Sequence, residues 1–356
     1  MTTAETRARD GSFDGMGLAL EWGGCGILLR IGLAMPRILF VKTSSLGDVV
    51  HHCPAVSDVS RQFPGAVIDW VVEEPFAEVA RLHPAVAEVI TVAIRRWRGE
   101  LVLASTWAEL AAFRRRLRDT PYDHVIDSQG LVKSALVTRM AGGLRHGFDR
   151  ASAREPFAAR FYDRRHAVDP ALHAVERNRL LAAAALGYVV DGACDYGLLH
   201  GTPGAGDTPD MPRPFAILLT MTSREDKLWP EEHWRALGAA VAARGVHCVL
   251  PWGSAEERHR CARIATAVPQ AMVPRRMTLT ELARLASGAA FVAGVDTGLA
   301  HLAAALGRPT LGIYCGSDPG LTGLHAGSAV KNIGAAGAPP RPEAALAALS
   351  ALGVLS

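Results

Sequence analysis

The chain has 356 residues, of which 49% are hydrophobic and 21% are charged. This length favours two domains, at about 100–200 residues per domain, and the composition excludes disordered, collagen-like and low-complexity classes. A net charge of +3 is too small to argue for general nucleic-acid binding, so no nucleic-acid partner is expected.

The first 35 residues and the cysteines indicate the kind of compartment in which the protein folds. Residues 1–35 carry acidic side chains before any apolar run, so they do not resemble a signal peptide and are interpreted as a loosely ordered N-terminal extension or a misassigned start; a real N-terminal helix is the alternative. The six cysteines include no C-x-x-C pair, which fits a reducing compartment and argues against a disulfide scaffold. No apolar run is long enough to span a membrane.

From Pro36 the chain alternates short apolar runs with helical stretches. The predicted strands of the first half are 37–42, 66–72, 88–94 and 124–127, and the predicted helices are 49–63, 105–118, 131–141 and 171–187. Strands separated by helices indicate βαβ units and a parallel sheet. We therefore expect a Rossmann-like domain over residues 36–190.

The alternation restarts after residues 191–213, a stretch rich in Gly, Asp and Pro that is typical of a linker. The later predicted strands are 215–220, 246–250, 291–295 and 310–314, and the helices are 230–243, 255–266 and 298–306. This pattern predicts a second Rossmann-like domain over 214–340 and a C-terminal helix within 341–356. Because ligands bind beyond the carboxyl ends of parallel strands, two such domains would hold the active site in the cleft between them.

The first strand ends in a turn of small residues, Thr43 to Gly47, that leads to Asp48 at the start of the next helix. One interpretation is structural, since a carboxylate in the first turn stabilises a helix. The other is a general base, because a carboxylate at a helix N-terminus stays ionised at neutral pH.

Polar residues also follow strands of the second domain. Thr222, Ser223 and Lys227 suit a diphosphate, and Lys227 is one of only four lysines; the alternative is a solvated loop. Glu256 and Glu257 follow another strand, and a carboxylate there suits ribose hydroxyls, although an exposed helix carboxylate is the alternative.

The segment 295–301 runs from a strand straight into a helix and is the densest group of candidates. Gly298 allows close approach of a ligand, Thr297 and the amides suit an anion, and Asp296 suits sugar hydroxyls, with His301 one turn along. An ordinary strand–turn–helix connection is the alternative. No metal-ligand spacing occurs in the sequence, so no metal is expected.

Two arginine clusters lie in the first half, one at Arg95, Arg96 and Arg98 and one at residues 114–118. Such runs are usually solvated helix faces. They also suit a phosphorylated or carboxylated acceptor, or the anionic surface of a membrane.

These segments together resemble the lipopolysaccharide heptosyltransferases. SSLGD at 44–48 and DTGLAH at 296–301 are typical of the family, whereas IRRWR at 94–98 and QGLVKSAL at 129–136 resemble its type I branch. The resemblance covers roughly residues 36–330 and implies a GT-B fold, with two Rossmann-like domains facing across a cleft. It implies an inverting glycosyltransferase that moves L-glycero-D-manno-heptose from ADP-heptose to the inner Kdo of Kdo2–lipid A.

The resemblance also assigns roles. Asp48 would be the general base, and Lys227 with helix N-terminal amides would stabilise the ADP leaving group. The ADP-heptose site would comprise Thr222, Ser223, Lys227, Glu257 at the ribose, Met277 near the adenine, Asp296, Thr297, Gly298 and His301. The acceptor site would comprise Ser45, Arg95, Arg96 and Arg98.

Cofactors and location follow from the same resemblance. We expect no metal or other cofactor, and a location in the cytoplasm, peripheral on the cytoplasmic face of the anionic inner membrane. Two features depart from the family pattern: the turn at residues 314–319 has an unusual sequence, and Ser223 replaces a usual threonine.

Other functions stay open at this stage. One is a type II-like heptosyltransferase that adds the second heptose, and another is an ADP-sugar-binding homologue without catalysis. A nicotinamide dehydrogenase is disfavoured, because no predicted strand is followed by G-x-G-x-x-G.

Overall fold

The computed structural model describes residues 35–198 and 211–355. All but the last residue of the predicted extension 1–35, and residues 199–210 of the predicted linker, therefore lie outside the described residues. From Met35 onward the chain forms one compact unit that contains both of its sheets.

The first sheet has six parallel strands in the order β3-β2-β1-β4-β5-β6. They are β1 (Arg37–Val41), β2 (Val67–Glu73), β3 (Val86–Val92), β4 (His124–Asp127), β5 (Leu144–Phe148) and β6 (Arg164–His166). The strand order reverses at β1, because β2 and β3 lie on one side of it and β4, β5 and β6 lie on the other. Ligands of open parallel sheets bind at such a switch point.

The second sheet has five parallel strands in the order β11-β10-β9-β7-β8. They are β7 (Phe215–Leu219), β8 (His247–Val249), β9 (Phe291–Val295), β10 (Thr310–Tyr314) and β11 (Val330–Gly334). The two parallel sheets with their helices confirm the predicted α/β class.

Helices connect the strands in both halves. In the first half they are α1 (Leu46–Val50), α2 (Cys53–Gln62), α3 (Ala77–Arg81), α4 (Ile94–Gly99), α5 (Ala104–Asp119), α6 (Val132–Thr138) and α7 (Ala174–Leu186). In the second half they are α8 (Glu231–Ala242), α9 (Ala255–Ala265), α10 (Leu279–Gly288), α11 (Gly298–Ala305), α12 (Pro319–Thr322) and α13 (Pro342–Ala351). Short 3-10 turns lie at Glu74–Phe76, Pro156–Phe161, Glu225–Lys227 and Gly327–Ala329.

Both faces of the first sheet are buried, which explains the continuous apolar sequence of β1. Successive side chains of a strand point to opposite faces. Ile38 and Phe40 therefore join one core, which also contains Phe215 of the second sheet. Leu39 and Val41 join another, beneath α5. The core shared by the two sheets couples their positions.

The structure confirms most predicted elements and corrects several. The strands predicted at 124–127, 291–295 and 310–314 match the observed bounds. The predicted helix 49–63 is wrong as one element: α1 starts earlier, and Pro54 in the first turn of α2 marks a second start.

The sequence pattern does not predict three of the observed strands, and it gives the wrong bounds for a fourth. β5, β6 and β11 carry charged or polar residues and lie at or near sheet edges, where alternation is weak. The strand predicted at 88–94 ends at Val92, because Ile94 begins α4. Among the helices of the described residues, none has the length and apolar character needed to cross a membrane.

Candidate active site

A cleft of about 470 Å³ lies where the carboxyl ends of the two sheets meet. From the first half it is lined by Ser45, Leu46, Gly47, Asp48, His51, Phe76, Arg95 and Arg154. From the second half it is lined by Thr222, Ser223, Lys227, Asp296, Thr297, Gly298, His301 and Thr322. Most of the sequence-predicted site residues are thus brought to one place.

The N-termini of α1 and α11 approach each other closely in this cleft. A Cβ added to Gly47 would lie 3.2 Å from Cδ2 of His301 and 3.8 Å from Cα of Gly298. Gly47 is therefore needed for close packing rather than for an unusual backbone angle.

Asp48 lies in the first turn of α1 and is held from three sides. Its Oδ2 accepts a hydrogen bond of 2.9 Å from the backbone N–H of Ser45, which forms a capping box. Its Oδ1 accepts one of 2.6 Å from Nη2 of Arg154, and Nζ of Lys42 lies 4.0 Å from the same oxygen. The carboxylate side chain is only 14% exposed.

These contacts decide the ionisation of the pair. Burial opposes the charged form of Asp48, but the charges of Lys42 and Arg154 and the hydrogen bonds from Arg154 and Ser45 outweigh it and hold its pKa well below the usual range. Burial lowers the pKa of Lys42 to about 8, although Asp48 acts in the opposite direction. Asp48 is therefore ionised at neutral pH, but it is a weak base while Arg154 is bound to it.

Asp296, at the end of β9, anchors the opposite wall. Its Oδ2 accepts hydrogen bonds of 2.7 Å from Nζ of Lys227 and 2.5 Å from Oγ of Ser317. Burial opposes its ionisation, but the hydrogen bonds from His301, Lys227 and Ser317 hold its pKa well below the usual range. The hydroxyl of Thr222 donates to the backbone carbonyl of Asp296 at 2.8 Å.

Two imidazoles connect the walls. Nε2 of His51 and Nδ1 of His301 lie 3.1 Å apart, so one N–H donates to the other ring. His301 also lies 3.5 Å from Oδ1 of Asp296. Burial, followed by the neighbouring His301, lowers the pKa of His51 well below its usual value, so His51 is neutral at neutral pH. A path of polar contacts thus runs from the end of α1 through α11 to Asp296.

Four predicted site residues do not line the cleft. Glu257 lies in the first turn of α9 and accepts a 2.6 Å hydrogen bond from the backbone N–H of Gly253. Met277 packs partly buried against the shared core. Arg96 is paired with Glu74 at 3.1 Å and Glu109 at 2.7 Å, and Arg98 is exposed in the last turn of α4.

The cleft also contains residues that sequence reasoning did not single out. Arg154 lies in the loop after β5, and its only sequence signal is the short segment AREP at residues 153–156, which also resembles the family. Ser317 belongs to the turn at 314–319 that departs from the family pattern, yet it binds Asp296. His51 gives only a weak signal, as one of two neighbouring histidines in the predicted helix 49–63, where a histidine is usually an ordinary buried side chain.

The charges of the cleft are divided between its walls. Among residues 35–198 and 211–355, no group of three or more His, Cys, Asp or Glu side chains is placed to hold a metal ion. The Asp48 carboxylate lies on the first wall with two arginines, and Lys227, paired with Asp296, lies on the second with several hydroxyls and the N-terminus of α11. This arrangement suits the attack of a hydroxyl group on a centre that bears an anionic leaving group.

Comparisons with known proteins agree with this geometry. Residues 110–345 match glycosyltransferase family 9 (heptosyltransferase). The chain is 48% identical over 293 residues to lipopolysaccharide heptosyltransferase 1 of Salmonella typhimurium, covering 81% of this chain and 90% of that protein.

Two solved structures of the E. coli heptosyltransferase WaaC are also similar, each at 44% identity and over 89% of this chain. The complex with ADP superposes with a TM-score of 0.83 over 99% of its chain. The complex with ADP-2-deoxy-2-fluoro heptose superposes with a TM-score of 0.78 over 97% of its chain. The GT-B fold expected from the sequence is thereby confirmed.

Proposed function

Since the chain belongs to glycosyltransferase family 9, the heptosyltransferases, we propose that it builds lipopolysaccharide by transferring L-glycero-D-manno-heptose from ADP-heptose. The acceptor in this proposal is the inner Kdo of Kdo2–lipid A, and the anomeric centre inverts. The name of the Salmonella relative and the two WaaC complexes support the donor and the product class.

The observation that carries the proposal is the position of Asp48 opposite Lys227 and Asp296 across one cleft. Inversion requires in-line attack, so the base and the leaving group must lie on opposite sides of the reacting carbon. Asp48 takes the proton of the Kdo hydroxyl, the hydroxyl oxygen bonds to C1 of the heptose, and the C1–O bond to the diphosphate breaks. ADP leaves with the bonding electron pair.

Arg154 controls the strength of the base in this mechanism. While the guanidinium binds Asp48 at 2.6 Å, the carboxylate has little affinity for a proton. Kdo is an acidic sugar, and its carboxylate competes for the same guanidinium. When Arg154 turns to the acceptor, the pKa of Asp48 rises at the time when it must accept a proton.

On the donor side, the diphosphate of ADP-heptose replaces Asp296 as the partner of Lys227. Its ammonium is paired with Asp296 at 2.7 Å. A bound diphosphate competes for this ammonium and also meets the hydroxyls of Thr222 and Ser223 and the amides that begin α11, which together stabilise the charge that develops on ADP. Asp296, still bound by Ser317, is then free to accept from heptose hydroxyls.

The remaining proposed contacts follow the family resemblance. Glu257 accepts from the ribose, and Met277 lies near the adenine. Ser45, Arg95, Arg96 and Arg98 face the acceptor. The proposal needs no metal or other cofactor, because Lys227 and the helix amides supply positive charge. The protein acts on a lipid and is placed at the cytoplasmic face of the inner membrane, held there by its basic first half.

A mass-spectrometric transfer assay tests the proposal. The protein is mixed with ADP-L-glycero-D-manno-heptose and Kdo2–lipid A in the presence of EDTA. A mass gain of a single heptose is expected, and Asp48→Asn should lower the rate roughly 10²–10⁴-fold, as removal of a general base does. Asp191→Asn, at an exposed carboxylate in a surface ion pair, is the matched control and should retain full activity.

Other outcomes would redirect the proposal. Transfer only to an acceptor that already carries one heptose would indicate the type II activity. Binding of ADP-heptose without transfer to either acceptor would indicate a binding protein. Loss of activity in EDTA that Mg²⁺ restores would contradict the metal-free mechanism.

A further inference from the structure

The loop between α4 and α5 exposes an unusual run of apolar side chains. Leu101 is 55% exposed, Val102 94% and Leu103 46%, and Trp107 in the first turn of α5 is 57% exposed. The indole N–H of Trp107 donates a 2.9 Å hydrogen bond to the carbonyl of Leu101, which holds the ring against the loop. Contiguous exposed apolar groups of this kind mark a binding surface.

Arginines flank this apolar run. Arg114 and Arg118 lie seven and eleven residues after Trp107, on the same face of α5. Trp107, Arg114 and Arg139 line a shallow cavity of about 450 Å³. Within the part of the chain that the structure describes, Arg114, Arg118 and Arg139 have no carboxylate partner.

The nearby carboxylates are only partly neutralised. Glu100 and Glu109 both pair with Arg96, at 3.6 and 2.7 Å, and Glu74 shares the same guanidinium, so one positive charge faces three negative ones. Asp119, at the end of α5, adds one opposing charge. Residues 95–119 carry seven arginines against three acidic residues, and Glu74 and Glu88, which pair with Arg96 and Arg116, bring the carboxylates to five. The surface therefore combines an apolar centre with an excess of positive charge, which is the chemistry of an interface with anionic lipid.

We propose that Leu101, Val102, Leu103, Trp107, Arg114 and Arg118, which we term the Trp107 surface, dock on an anionic phospholipid bilayer. The aliphatic side chains and the indole enter the boundary between headgroups and acyl chains, where amphipathic aromatic rings are favoured. The arginines bind headgroup phosphates, and their planar donors match phosphate oxygens.

The position of this surface suits a lipid-borne acceptor, and to that extent the inference rests on the proposed function. Arg95 in the first turn of α4 lines the cleft, and the apolar loop begins directly after that helix. Arg96 ties α5 to the cleft rim, since it binds Glu109 and also Glu74, which lies two residues before the cleft residue Phe76. A bilayer on the Trp107 surface would thus lie beside the first-half wall of the cleft.

A second basic area lies in the same half and serves as the comparison. Arg150, Arg160 and Arg165 surround a cavity with Phe157, which is 52% exposed. Arg160 stacks on that ring at 5.0 Å. This area has one exposed aromatic ring and no aliphatic run, so the observations favour the Trp107 surface.

Cosedimentation of the full chain with vesicles tests the docking. Vesicles of phosphatidylcholine with phosphatidylglycerol are compared with vesicles of phosphatidylcholine alone. Val102→Glu should lower the partition coefficient on anionic vesicles about tenfold or more. The substitution removes an aliphatic group that would insert into the bilayer and places a negative charge against the anionic headgroups. Val189→Glu, at a valine that is 81% exposed elsewhere, should change it less than about twofold.

The arginines are tested as pairs. Arg114→Gln with Arg118→Gln should weaken binding to anionic vesicles by about fivefold per arginine and reduce its salt dependence. Arg150→Gln with Arg160→Gln is the matched pair and should have little effect. Equal losses for Val102→Glu and Val189→Glu, or a larger loss for the Arg150 pair, would overturn the proposal. So would absence of binding by the unmodified chain, or its self-association through Val102 without vesicles.

A transfer assay separates this inference from the proposed function. Val102→Glu should retain transfer to a water-soluble acceptor without acyl chains, because Val102 lies outside the cleft. Failure of the unmodified chain to transfer to any acceptor would contradict the proposed function and leave the vesicle results to be judged separately. Loss of transfer to the soluble acceptor in Val102→Glu alone would show that the loop acts on the cleft itself and would overturn the docking role.

Discussion

Gly298, the first residue of α11, lies against Leu46, the first residue of α1, so closely that an added Cβ would stand 2.5 Å from the Cβ of Leu46. These two residues set the distance between the helix N-termini in the cleft. A side chain at either place with more bulk would push the two halves of the cleft apart.

Gly298→Ala should therefore destabilise the fold and weaken the site together. We expect a loss of about 1–3 kcal/mol in the free energy of unfolding, the usual cost of overpacking a tight contact, along with a lower rate of heptosyl transfer. Chemical denaturation measures the first quantity and the transfer assay the second. Gly142→Ala is the control, because nothing lies within 4 Å of a Cβ there; equal stabilities of the two variants would contradict the packing argument.

Lys227 should matter more for the departure of ADP than for the fold. Lys227→Gln removes the ammonium that lies 2.7 Å from Asp296. We expect kcat to fall about a hundredfold to a thousandfold, as for loss of one preorganised group at a developing anion. Calorimetric titration with ADP should show weaker binding as well. Lys331→Gln, at an exposed lysine on β11, should leave both quantities unchanged.

Replacing Arg154 should weaken binding of the acceptor and leave binding of the nucleotide unchanged. Arg154→Gln is expected to raise the KM for the acceptor about tenfold or more, the usual effect of losing a charged hydrogen bond. Arg154→Lys should recover only part of this, since lysine lacks the forked donors. Steady-state kinetics measure the KM, and the affinity for ADP should stay constant. An unchanged KM, or an equal loss of ADP affinity, would remove Arg154 from the acceptor site.

Buried histidines should make the fold sensitive to acid. Burial lowers the pKa values of His83, His146 and His173 to about 4, below the usual value of about 6.5 for an unfolded chain. Between these values the unfolded chain binds more protons than the native protein, so stability is present above pH ~6.5 and falls as the pH is lowered toward ~4.

A single substitution in the row of hydrogen-bonded histidines His124, His146 and His166 measures this effect. His146 is hydrogen-bonded to His124 and His166, at 3.1 Å each. Between pH 7 and 5, His146→Gln should lose less stability than the unmodified chain by about 1 kcal/mol, or roughly 1–2 °C in Tm. Thermal unfolding at several pH values gives the comparison. The exposed His259→Gln should follow the unmodified chain, and parallel curves for all three proteins would contradict the linkage.

Local sequence patterns were sufficient for much of the fold. β1, β9 and β10 are buried apolar runs because helices pack on both faces of their sheets. The turns at residues 44–48 and 296–301 were recognised because small residues and glycine follow a strand directly. The edge strand β6 was missed because its residues, Arg164 to His166, carry no apolar pattern.

The two alternating α/β segments, the turns that bear Asp48 and Asp296, and the resemblance to heptosyltransferases can all be predicted from the sequence, since each depends on residues that are near one another in the chain. Contacts between side chains that are distant in the chain depend on the folded structure. Arg154 and Asp48 are 106 residues apart, and His51 and His301 are 250 apart. Their contacts depend on strand order and on the core shared by the two sheets, and periodicity within a short window carries no information about either.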